Sequence, residues 1–343
     1  MLSLPPSSGR RPAAEQPGDI VPTPDEFAGW PRLGVESAAL SLGPVHVELR
    51  RADRSVLDSL DRWARAPGAG GLVAGGGWSG LGIDLEFTRS DRSGYLALVP
   101  GQRTRLWTWS EPGGLAMVTH GAALLMSDDA SRGIVVLARQ LDPDLDLALQ
   151  NVLRVAVAWR LALSGRGLLL HAAVVERDDS GAILLLGPSG AGKTTALRLL
   201  MPRAALADDV VLLTAPPSDD GAWLAHPTPL WADSAFPSRT SRLSPLPLVG
   251  TLRLHHGERT SIDPVSRAAS VAALLAHAPF LLGSGHDCAL ALSERLVRDV
   301  PFAGLLFSVE GEFWPDVESW LSAEFPSGTR TDPGHTTRTG RQT

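Results

Sequence analysis

The chain has 343 residues, enough for two domains of ordinary size, and 44 % hydrophobic with 20 % charged residues suits a globular protein with a sizeable core. A net charge of −6 and a pI near 5.8 argue against nucleic acid or an anionic membrane as the main partner, because both select a basic face. The single cysteine, Cys288, excludes an internal disulfide and a cysteine-based zinc site.

Residues 1–30, rich in Pro, Gly and Ser, read as a disordered leader with no signal-peptide core. No run approaches the roughly 20 apolar residues that span a bilayer, so the reading is of a cytoplasmic protein without a membrane partner. Residues 31–143 read as a mixed, strand-rich α+β domain suited to recognising a partner. Its strands are expected at 36–50 (split near Gly43-Pro44), 81–88, 94–99, 104–110, 114–119 and 133–138. A helix near 54–65 carries Val56, Leu57, Leu60 and Trp63 at helical spacing. The seven glycines of 66–80 lack a lysine and a following helix, and read as a connector.

A joining helix over 144–163, capped by Asp144 or Asp146, opens a second α/β domain that runs to residue 324. Its first elements are two apolar runs, 167–175 and 182–187, which read as an antiparallel hairpin. A helix over 193–201 follows, then a strand over 205–214 with Asp208 and Asp209 at its entry. Later elements are a strand near 247–255, helices at 264–277 and 287–298, a buried strand at 302–309 and a helix at 313–323. Residues 325–343 read as a disordered tail.

The chemistry concentrates at Gly187, Pro188, Ser189, Gly190, Ala191, Gly192, Lys193, Thr194 and Thr195. The pattern G-x-x-x-x-G-K-[ST] between a strand and a helix is that of a P-loop, or Walker A motif. In such a loop, backbone N–H groups and the helix N-terminus wrap the phosphates. The lysine neutralises the β- and γ-phosphates, and the Thr194 hydroxyl reaches magnesium. Of the 31 cationic residues, 30 are arginine, and the one lysine stands in this loop, where a compact charge fits and a planar fork does not. ATP, or another nucleoside triphosphate, with Mg2+ is therefore the expected ligand. Asp208 and Asp209 can divide labour, one holding the metal and the other taking a proton, because adjacent side chains on a strand point to opposite sides. His171, inside an apolar run, reads on pattern alone as a core residue. Arg239, Arg242, Arg253 and His226 are weaker candidates, and His255-His256 reads as surface.

The segment LLLHAAVVERDDSGAILLLGPSGAGKTTALRLLMPRAALADDVVLL resembles the core of HPr kinase/phosphorylase and its wider relatives. The likeness covers about 165–215 and continues more weakly to about 300. It implies a nucleotide domain with a mixed sheet, related to that of phosphoenolpyruvate carboxykinase. It further implies that His171 sits near the transferred phosphate, that Asp208 accepts the proton and that Asp209 assists magnesium. The activity implied is a kinase acting on a hydroxyl, such as serine of a small protein or peptide. Members that also run the reverse reaction carry a Glu and Arg element after the aspartates, which this chain lacks. A nucleotide-gated binding or scaffold protein and a small-molecule kinase are the alternatives, and a homo-oligomer stays open.

Overall fold

The computed structural model describes residues 38–64, 72–73, 81–90, 106–111, 114–138, 144–178, 181–201, 203, 205–218, 221–228, 244–281 and 284–324. The leader, the tail, the expected strand at 94–99 and most of the Gly-rich connector lie outside these residues.

The first half is built from β1 (Ala38–Leu42), β2 (Val45–Arg50), α1 (Arg54–Ala64), β3 (Leu72–Val73), β4 (Leu81–Ser90), β5 (Leu106–Glu111), β6 (Gly114–Thr119), β7 (Ala122–Ser127) and β8 (Arg132–Ala138). In β2, Val45, Val47 and Leu49 are buried while Glu48 and Arg50 are exposed, the alternation of a strand with one wet face. The strands form one eight-stranded mixed sheet, ordered β3-β1-β2-β4-β8-β7-β6-β5. β2, β4 and β8 run parallel, and β8 to β5 form an antiparallel meander.

Helix α2 (Leu145–Leu163) joins the halves. Twelve of its nineteen residues are buried, and ten of them share one core with the first sheet, α1 and Leu169, Val210 and Leu212 of the second half, while Ala162 joins the core of the second sheet. An apolar stripe this wide is what a helix needs when it is covered on several sides. Asp144 stands at the N-cap as expected, but its carboxylate makes no capping bond and instead lies 3.2 Å from His120 Nε2.

The second half contains β9 (Gly167–Leu170), β10 (Ala173–Asp178), β11 (Gly181–Leu186), α3 (Lys193–Leu199), β12 (Ala205–Asp208), β13 (Val211–Thr214), β14 (Leu224–His226), β15 (Leu246–His256), β16 (Ser261–Pro264), α4 (Arg267–Ala276), α5 (Ser284–Asp299), β17 (Phe302–Phe307) and α6 (Trp314–Glu324). Nine strands form a second mixed sheet, in which β15 is paired with β11 and β17 in parallel and with β14 antiparallel. The run GAILLL of β11 is buried on both faces. Leu184 and Leu186 belong to a core shared with α4 and α5, while Ile183 and Leu185 belong to one shared with α3 and α6. Helices thus cover both sides of the strand that leads into the Gly-rich loop, as a continuous apolar strand requires.

The fold is mixed α/β. Among the described residues, no helix is long and apolar enough to cross a membrane.

Candidate active site

Two of the expected elements are broken, and at matching places. The apolar run 167–175 is two strands, β9 and β10, and the run 205–214 is also two, β12 and β13. They pair antiparallel on both sides of the break: Leu170 faces Val211, and Ala173 faces Asp208. His171 and Asp209 occupy the interruption. The His171 N–H leaves the sheet to donate to the His277 carbonyl at 2.7 Å. Asp209 has φ of 83°, the left-handed region, which costs an L-residue about 1–2 kcal/mol and which aspartate tolerates better than most. The aspartates therefore do not enter one long strand; Asp208 ends β12, and Asp209 forms an isolated bridge after it.

The Gly-rich loop connects β11 to α3. Gly190 and Gly192 have φ of 84° and 90°. A Cβ on Gly192 would also lie 2.6 Å from His256 Cε1, so a larger residue would have to displace that exposed ring as well as strain the backbone. The Lys193 ammonium is buried and donates to the carbonyls of Gly187 at 2.7 Å and Pro188 at 3.3 Å. The Thr194 hydroxyl donates to Asp208 Oδ2 at 3.1 Å. Of the two aspartates, it is thus Asp208 that meets Thr194.

Asp209 is held elsewhere. His171 Nδ1 lies 2.9 Å from its Oδ1, and the Arg154 guanidinium donates to its Oδ2 at 2.8 Å. The two neighbouring acids are driven apart. Burial, reinforced by the charge of Asp209, raises the pKa of Asp208 against the pull of the Thr194 hydrogen bond and Lys193. Burial also pushes Asp209 up, but the His171 hydrogen bond and the Arg154 charge outweigh it and hold that carboxyl below the usual range. Burial lowers the pKa of Lys193, opposed by both aspartates. A pair of acids whose surroundings separate their protonation, beside a buried lysine, is the pattern of a reactive site.

Two contributors have no motif. Arg154 is a lone charge in the middle of α2, between the buried Leu153 and Val155, and that interruption of an apolar face was its one readable signal. His277 follows α4. Its carbonyl takes the His171 N–H, its Nδ1 lies 2.6 Å from the Ala273 carbonyl, and its ring also meets the Gly187 backbone. Burial lowers its pKa.

The remaining candidates fall otherwise. His226 is a buried residue of β14 that pairs with Thr214 Oγ1 at 2.8 Å and packs against Gly43 of the β1–β2 turn. Burial takes its pKa down to about 4. Arg253 is a half-buried residue of β15, and Arg239 and Arg242 lie outside the described residues. His255 and His256 are exposed, as expected, although His256 abuts Gly192 and lies 5.1 Å from the Phe307 ring. Among the described residues, no group of three or more His, Cys, Asp or Glu side chains forms a metal site.

No curated protein matches the chain. The family model described as SynChlorMet cassette protein ScmC matches residues 136–322, more than half of the 343 residues. That match, to ScmC and not to an HPr kinase family, corrects the resemblance to HPr kinase/phosphorylase. The chain belongs to the ScmC family.

Proposed function

We propose that this ScmC-family chain is a phosphotransferase that uses a nucleoside triphosphate and magnesium to phosphorylate a hydroxyl. The observation that carries the proposal is the meeting of Lys193, Thr194, Asp208, Asp209 and His171 around one break in the sheet. The same arrangement supports a nucleotide-binding P-loop at 187–195, because Gly190 and Gly192 give the backbone the left-handed turns such a cradle needs.

The residues fit magnesium and a triphosphate. Thr194 Oγ1 and Asp208 Oδ2 are neighbouring hard oxygens, and Mg2+ is usually held by one or two such ligands with phosphate oxygens and water completing the set. Bound there, the ion would neutralise charge on the phosphate oxygens. Lys193 would exchange its carbonyl partners for phosphate oxygens, a stronger, charge-assisted contact. This reading moves Asp208 from base to metal ligand and frees Asp209 from the metal.

The base is then His171. Asp209 occupies Nδ1, which leaves Nε2 to accept a proton, and the carboxylate would stabilise the imidazolium formed. In the transfer, the acceptor oxygen bonds to the γ-phosphorus as the bond from that phosphorus to the bridging oxygen breaks. The nucleoside diphosphate departs and the hydroxyl proton goes to His171. A hydroxyl on a peptide or small protein suits a chain whose other half offers a broad sheet for recognition.

The test is transfer from γ-labelled ATP, with magnesium, to a library of serine- and threonine-containing peptides and to simple alcohols. His171→Gln should slow transfer roughly 10²- to 10³-fold and leave ATP binding intact. Transfer at the parental rate by that variant would remove His171 from the chemistry. ATP binding with no acceptor phosphorylated would instead favour a nucleotide-gated binding protein.

A further inference from the structure

We infer that Arg154 is a positioning residue for the acceptor side of the site, holding Asp209 so that Asp209 in turn holds His171. The inference rests on the phosphotransferase reading. It begins with the backbone. Asp209 stands between β12 and β13 in an isolated bridge at φ of 83°, so no continuous strand sets its side chain. Each carboxylate oxygen has its own donor instead: His171 on Oδ1 and Arg154 on Oδ2.

Arg154 is an expensive residue where it stands. It interrupts the buried stretch of α2, its side chain is 17 % exposed, and its Nε is buried with no hydrogen-bond partner among the described residues. A hydrophobic residue would pack in that helix without the desolvation cost of a guanidinium. Packing alone therefore does not explain an arginine there, whereas a fixed fork aimed at one carboxylate oxygen does.

The geometry also separates two functions. The contacts of Arg154 run to Asp209 and not to Lys193, Thr194 or the loop, which are the groups assigned to nucleotide and metal. Removing the guanidinium should release Asp209 to rotate and cost His171 its orientation, with the nucleotide side left in place. Because α2 packs in the core of the first sheet, the arginine also anchors the acceptor side to that half of the molecule.

The experiment uses the full chain with ATP and magnesium, water serving as the phosphate acceptor, and Arg154→Met, Arg154→Lys and Lys193→Met as variants. Arg154→Met should lower kcat at least tenfold while the dissociation constant for ATP stays within twofold. Arg154→Lys, which keeps the charge and loses the fork, should recover part of the rate. The 15N shifts of the His171 ring give a readout apart from turnover. In the parent, Asp209 should hold the proton on Nδ1, and Arg154→Met should shift that tautomer population. If kcat and the tautomer are both unchanged in Arg154→Met, the inference is overturned although the phosphotransferase reading survives. If Lys193→Met binds ATP as the parent does, that reading fails and takes this inference with it.

Discussion

The two sheets treat charge in opposite ways. In the first, most of the ion pairs lie near the surface: Arg50 lies 2.9 Å from Asp84 and 3.4 Å from Glu48, and Arg51 pairs with Glu86, while Arg89 meets Asp53 in a more buried pair. Surface pairs contribute little and need no special surroundings. In the second, a lysine at 8 % exposure and an aspartate at 3 % are buried around a break in the strands. Burying those charges opposes folding, and the packing of the sheet would be better without them. The difference separates a region whose charges lie mostly near solvent from one that buries a costly cluster, the cluster on which the phosphotransferase proposal rests.

The sharpest way to break this comparison is Lys193→Met. It should reduce affinity for ATP about 10³-fold, by analogy with removing a donor aimed at developing charge, while the thermal midpoint holds or rises because a buried charge has gone. Calorimetric titration and a melting curve check both halves of the statement. Leu85→Ala does the converse in the first sheet. Leu85 is fully buried, so the truncation should cost about 3–4 kcal/mol in a denaturant titration and leave ATP affinity within twofold.

A smaller effect lies at the seam. His226 of the second sheet packs against the Gly43 turn of the first, and its folded pKa of about 4 is below its ordinary value of 6.5. The unfolded chain therefore binds the extra proton first as pH falls, and stability is lost between about pH 6.5 and pH 4. The loss between pH 7 and pH 5 should be about 2 kcal/mol. His226→Gln should flatten that part of the curve; an unchanged slope would assign the pH dependence to other groups.

Much of the fold was readable because its elements announce themselves by period and punctuation. The split at Gly43-Pro44 and the helices at 54–64 and 145–163 fall within two residues of expectation. β7 was missed because AALLMS is alanine-rich and follows a two-residue turn, and β14 and β16 because strands of three and four residues carry no period. The loop could be read from its glycines and lysine. The breaks at His171 and Asp209 could not, since an apolar run looks continuous until a partner elsewhere, here the His277 carbonyl, pulls one residue out of line. The different surroundings of Asp208 and Asp209, which the resemblance casts as proton acceptor and magnesium ligand, were hidden for the same reason. They depend on which neighbour each side chain meets, and Arg154 arrives from a helix more than fifty residues upstream of Asp209.

The solitary buried lysine also makes the molecule its own reporter. Amine-directed acylating reagents have two targets in this chain, the α-amino group and Lys193. Burial lowers the proton affinity of Lys193, which leaves more of it as the nucleophilic free amine. On the phosphotransferase reading, an acyl phosphate of a nucleotide should label the tryptic peptide that carries Lys193, and protection of that peptide by unmodified nucleotide would measure occupancy without any knowledge of the acceptor.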